Sequence, residues 1–149
     1  MIKKILKQND DIQGIIEKLS QKDIIPLFYY LLKDKSMPLE KKYAFLSELI
    51  KRYSDIPTEL YEIVLVKLFN FYETTEFYQL LNEYYNKTGK YKEMVQLMDY
   101  FSSLTTDDSL KSDIYAKLGY IYKDLLLDQT TSLMFFKKSL KINENNTTI

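Results

Sequence analysis

Residues 78–101 read YQLLNEYYNKTGKYKEMVQLMDYF, and the spacing within this stretch decides the fold. Apolar residues recur at Tyr78, Leu81 and Tyr85 before Gly89, and at Met94, Leu97, Met98 and Phe101 after it. Steps of three and four place each set on one helical stripe. Two such helices joined by a short link lie side by side with their stripes facing. Gly89 is the natural turn residue, because glycine alone enters the left-handed region without steric cost.

The flanking sequence repeats this theme. Asp10 or Asp11 caps a helix to about Leu19, with Ile12, Ile15, Ile16 and Leu19 on its stripe and Gly14 weakening it. Asp23 is the next cap candidate, and Pro26 sits in a first turn where its missing N–H costs nothing. KDKSMP at 33–38 is a loop, with Ser36 as cap and Pro38 in the first turn of the next helix. That helix carries Tyr43, Leu46, Leu49, Ile50 and Tyr53. Residues 58–72 are apolar on more than one face, so this helix is expected to be the most deeply sandwiched. The run IVLV at 63–66 also suits a strand, but within a longer helical period it stays helix. Glu73, Thr74 and Thr75 break the pattern and offer a hydroxyl cap. Thr106 or Asp107 caps a helix over 109–126. Asp128 starts the last one, with Leu133, Phe136, Leu140 and Ile142 as its expected buried set. Residues 1–9 read as a mobile lead-in or a short helical turn, and 143–149 as a polar tail that frays. The expectation is an all-α chain of seven to eight helices with short links.

Composition narrows the function classes. The chain has 149 residues, enough for one domain with a real core, and 21 basic residues balance 21 acidic ones. Nucleic-acid binders carry a basic excess, since phosphate contacts supply much of their affinity, so none is expected as partner. The sequence contains no Cys and no His, which removes disulfides, thiolate chemistry and the commonest general base and metal ligands. Asp10-Asp11 and Asp107-Asp108 are adjacent pairs at helix starts, where acids favour the positive helix end rather than converging on a substrate. No phosphate-binding glycine loop, nucleophile elbow or HExxH motif occurs. The reading is therefore non-enzymatic, with no cofactor and no metal. MIKKILKQNDD carries too short an apolar run for a signal peptide or a membrane span, so no membrane partner and a cytoplasmic location are expected.

A compact bundle and a solenoid both satisfy this much, and repetition separates them. Tyr43, Tyr78 and Tyr115 are spaced 35 and 37 residues apart; Leu46, Leu81 and Leu118 keep that spacing, and so do Ile50, Tyr85 and Tyr122. Self-similarity at a fixed period is the mark of a stacked helical array, whose units bury their faces only against neighbours.

YAKLGYIY at 115–122 has an aromatic, then leucine-glycine, then tyrosine: Tyr115, Leu118, Gly119, Tyr122. TGKYKE at 88–93 supplies the turn, and Ser132, Phe136 and Ser139 give small, aromatic and small positions in a second helix. In these features the chain resembles the tetratricopeptide repeat family, with two better-preserved repeats at about 75–144 and a degenerate one at 43–72. It departs from the pattern at Asn82, where the glycine belongs, and in LLLDQT at 125–130, which is one residue longer than the glycine turn and lacks the glycine. The resemblance implies a right-handed α-solenoid of antiparallel helical hairpins, forming one domain over 1–149 that is open to being the N-terminal part of a longer protein. Small residues such as Gly119, Ser132 and Ser139 would let helices cross closely.

It also implies a function: a scaffold or adaptor that holds a peptide or helix of another protein in a concave groove. The groove positions would be Glu76, Gln79, Glu83, Asn86 and Lys87 from one unit and Asp113, Ala116, Tyr120, Lys123 and Asp124 from the next. Lys87, Asn86 and Lys123 stand beside four acids there, which does not suit an acidic C-terminal peptide. A mixed polar groove with one aromatic suits a neutral or amphipathic segment. A ligand- or peptide-responsive regulatory sensor is the alternative, and an RNA-binding helical array ranks behind it, although paired tyrosines such as Tyr84-Tyr85 could stack bases. Leu133, Met134 and Phe135 would leave an apolar end open to self-association, to further repeats or to a docked partner.

Overall fold

The computed structural model describes residues 11–146; the expected lead-in over 1–9, a cap by Asp10 and the last three residues lie outside them. The described residues form eight α-helices and no strand. These are α1 (Ile12–Glu17), α2 (Ile24–Lys33), α3 (Leu39–Arg52), α4 (Thr58–Tyr72), α5 (Thr75–Thr88), α6 (Tyr91–Leu104), α7 (Asp108–Asp124) and α8 (Gln129–Asn146), with one 3-10 turn at Gln21–Asp23. The run at 63–66 is helical, as its surrounding period requires.

Several starts follow from capping. The Asp11 carboxylate accepts from the Gly14 N–H at 2.7 Å, and Asp107 accepts from the Leu110 N–H at 3.2 Å. Asp128 accepts from both the N–H and the hydroxyl of Thr131, at 3.1 and 2.7 Å. These bonds satisfy amide donors that the helix itself leaves open. Two expected caps are corrected. Asp23 occupies the N-cap position of α2 but makes no side-chain capping bond there; its carboxylate accepts from the Ser20 hydroxyl at 2.7 Å and closes the preceding 3-10 turn. Ser36 does not cap α3; its hydroxyl donates to Asp34 at 2.8 Å, and Pro38 itself occupies the N-cap position rather than the first turn. The first helix also stops at Glu17, short of Leu19, and the last continues through Asn146, past the expected fraying point at 143.

The contacts group the chain into two compact units, 1–77 and 78–149, divided within α5. In the first unit α3 packs against α1, α2 and α4. Its core is mainly aliphatic with phenylalanines among it: Ile15, Leu27, Phe28, Leu31, Phe45, Leu46, Leu49, Val64 and Leu65 are almost wholly buried. Gln13 of α1 donates to Glu48 at 2.9 Å and accepts from Arg52, tying α1 to one face of α3. In the second unit α7 packs against α6 and α8. There Tyr78, Leu81, Tyr84, Tyr85, Met94, Met98, Phe101, Ile114 and Leu118 are buried. The rings of Tyr78 and Phe101 stack at 4.2 Å between centroids, joining α5 to α6 along the stripes that the sequence sets facing.

Two packing expectations are overturned. α4 is buried on one face only, through Leu60, Val64, Leu65, Leu68 and Phe69, while Ile63, Phe71 and Tyr72 are exposed. Its outer rings find other rings instead: Phe71 stacks on Tyr43 at 4.4 Å, and Tyr72 on Phe77 at 5.5 Å. In α8 the buried residues are Ser132, Phe135 and Ser139, whereas Leu133 is 58% and Leu140 57% exposed. Phe136 and Ile142 are half-buried. The helix is thus rotated so that small residues, not leucines, face α7. Leu133 and Met134 are exposed, but Phe135, expected beside them on an open apolar end, is not part of that surface.

Candidate interaction surface

The second unit explains why α5 and α7 each keep a polar face outside. Along α5, Phe77, Tyr78, Leu81, Tyr84 and Tyr85 are buried. The residues between them at helical spacing, Glu76, Gln79, Glu83, Asn86 and Lys87, are all exposed. A side chain cannot occupy both faces of one helix, so the aromatic stripe fixes the direction of the polar one. Burial pushes the Tyr78 phenol up to about 12, which marks how dry the inner face is.

α7 is oriented by its crossing with α8. A Cβ on Gly119 would lie 2.6 Å from a ring carbon of Phe136, closer than any real contact. The Ser132 hydroxyl donates to the Gly119 carbonyl at 2.7 Å. At the other end of the crossing the Ser139 hydroxyl donates to the Ser112 carbonyl at 2.9 Å, the Ser112 hydroxyl lies 3.1 Å from the Ser139 hydroxyl, and it reaches Asn143 Oδ1 at 2.8 Å. Buried hydroxyls need such partners, and bonding to a neighbouring backbone requires the close approach that small residues permit. Gly119, Ser132 and Ser139 therefore act as the sequence expects.

With α7 held this way, Asp113, Tyr120, Lys123 and Asp124 point outward and Ala116 is half-buried. Tyr120 is 58% exposed, and its ring meets the edge of Phe136 at 5.0 Å. The ring is thus fixed on one side and open on the other, which suits an aromatic anchor for a partner. Each helix presents its own candidate residues along one stripe. Among the described residues, no hydrogen bond or ion pair joins Gln79, Glu83, Asn86 or Lys87 to the α7 set. Glu76 differs from the others in being already engaged: its carboxylate lies 2.9 Å from the Lys51 ammonium.

Further exposed groups were not among the expected positions. Leu125 and Leu127, in the link between α7 and α8, are exposed, as are Ile63 and Phe71 on α4. The 125–130 link does carry a signal, since a leucine run without glycine cannot all turn inward across so short a connection. Among the described residues no group of His, Cys, Asp or Glu is placed to hold a metal ion, and no helix is long and apolar enough to cross a membrane. No protein-family model, curated protein or solved structure matches the chain.

Proposed function

We propose that the chain is a non-enzymatic protein-interaction module of the tetratricopeptide kind. Antiparallel hairpins would stack as a right-handed solenoid and hold a peptide or helix of another protein against the outward faces of α5 and α7. One observation carries this reading. α5 and α7 turn the same phase of residues inward (Tyr78, Leu81 and Tyr85, all buried; Leu118, buried, with Tyr115 and Tyr122 half-buried) and leave polar residues in the opposite phase exposed. A helix needs its inner stripe for folding, whereas Gln79, Asn86 and Lys87 are exposed and Tyr120 packs on Phe136 through one side only, leaving a mixed polar and aromatic face that packing does not account for. Two acids and one lysine accompany Tyr120 on α7, which favours a neutral or amphipathic partner segment over a strongly charged one.

The test is affinity capture from native lysate with the intact chain as bait, beside a Tyr120→Ala/Lys87→Glu double variant. Both positions are exposed, so the variant should keep its circular dichroism melt. The expected result is a partner retained by the wild type and lost by the variant. Identical capture by both would remove this face from consideration.

A further inference from the structure

We propose that the first unit carries a binding site for a small organic phosphate, in a cavity between the C-terminal end of α2, the 34–38 link, α3 and α4. The site shares no residue with the surface described above and does not depend on that reading. The cavity has a volume of about 270 Å³, just below the roughly 300–1,000 Å³ usual for small-molecule sites. Four lysines line it: Lys33 from α2, Lys35 from the link, Lys42 from α3 and Lys67 from α4. Asp34 is the one acid among the lining residues.

That acid is already committed. Its two carboxylate oxygens accept from the Ser36 hydroxyl and the Met37 N–H, each at 2.8 Å, and these bonds hold its pKa below the usual carboxylate value, that from Ser36 foremost. The Lys42 ammonium donates to the Asp34 carbonyl, and only 8% of Lys42 is exposed. Lys42 therefore offsets the negative end of α2 at the cavity wall. Lys33, Lys35 and Lys67 remain exposed, and among the described residues none of them is in an ion pair.

Four lysines from four successive elements line one cavity beside a single carboxylate, in a chain whose net charge is zero. Like charges around one cavity repel, and an anion among them offsets that repulsion. Flexible ammonium groups serve phosphate as point charges. The remaining lining is apolar, Leu32, Leu39 and Leu46 with the ring of Tyr43, and Tyr43 is held in place by its stack on Phe71. Charge beside an apolar wall selects a phosphate attached to a ring or short alkyl group over inorganic phosphate. The volume fits one such group, not a length of peptide.

The experiment is calorimetric titration of the full chain with phenyl phosphate at low salt, compared with inorganic phosphate and with a phosphotyrosine peptide. Expected is saturable one-to-one binding of phenyl phosphate, tighter than either comparator. Lys35→Glu and Lys67→Glu should each weaken it about tenfold or more, since each reverses a charge facing the anion. Both side chains are exposed, so circular dichroism melts should stay at the wild-type midpoint and separate lost binding from lost folding. Absence of saturable binding, or affinity unchanged in both variants, would overturn the site. Equal affinity for inorganic phosphate would overturn the organic carrier, and preference for the peptide would overturn the small-molecule assignment.

Discussion

The hairpins α5–α6 and α7–α8 begin from the same first-helix pattern and solve the rest differently. The first has the better turn. Gly89 takes φ +71°, the Lys90 N–H returns to the Tyr85 carbonyl at 2.9 Å, and nothing would crowd a Cβ there. The second makes its turn with Leu127 at φ +54°, and the Asp128 N–H returns to the Tyr122 carbonyl at 2.7 Å. A leucine there carries a left-handed cost of about 1–2 kcal/mol that glycine avoids. At the crossing the order is reversed. Gly119 lets α8 approach and gives its carbonyl to Ser132, while at the equivalent place in α5 Asn82 has a buried Oδ1 without a hydrogen-bond partner. Each hairpin thus keeps either its link or its crossing close to ideal, and the shared Tyr-Leu-Tyr stripe contributes to the packing in both.

The shared stripe should fail first and most severely. Leu118→Arg or Leu81→Asp places a charge among buried residues and should cost more than about 4 kcal/mol. Circular dichroism would then show no cooperative melt; a wild-type melt for either variant would refute the shared packing. Gly119→Ala should cost about 1–2 kcal/mol, because displacing the Phe136 ring outweighs the gain in helix propensity. In a Phe136→Ala background the sign should reverse, and a double-mutant cycle in urea checks this. The two links should respond oppositely, each by about 1 kcal/mol: Gly89→Ala lowers the melting temperature and Leu127→Gly raises it. Equal signs would mean that the left-handed residues do not control the links. Asn82→Ala should stabilise by less than about 1 kcal/mol, since it removes an unpartnered acceptor and restores a good helix former. Any loss of stability would show that the amide has a role the crossing needs.

Tyr78 gives a change that is silent at neutral pH. Its folded pKa is raised above the unfolded value, so the protonated phenol favours the folded state fully below about pH 10, and that contribution is lost as pH rises towards 12. Tyr78→Phe should therefore raise the pH of alkaline unfolding while leaving the neutral melt nearly unchanged. An unaltered alkaline transition would mean that other groups govern it.

Much of this architecture was legible in residue order. Periodicity located the helices, Gly89 located the turn, and Asp11, Asp107 and Asp128 sit where their caps were expected. The face of α8 was not legible from hydrophobicity. Leu133 and Leu140 obey the apolar stripe, yet Ser132 and Ser139 occupy the interface, because Gly119 admits only a close neighbour and the hydroxyls find acceptors on α7. The small-residue pattern and the leucine pattern made opposing claims on one helix, and hydrogen bonding with close approach decided between them. The polar stripes of α5 and α7 were legible because they are the complements of buried stripes. The basic cavity was not, since Lys33, Lys35, Lys42 and Lys67 come from separate elements and each alone reads as a solvated helix or loop residue.

The serine-lined crossing of α7 and α8 also bears on the order of folding. Ser112, Gly119, Ser132, Ser139 and Asn143 all fall within a 32-residue span, 112–143, and only a short link has to close before they meet. Contacts that close short loops lose little chain entropy and form early. This hairpin is therefore placed to form early in its unit, with polar bonds setting its register.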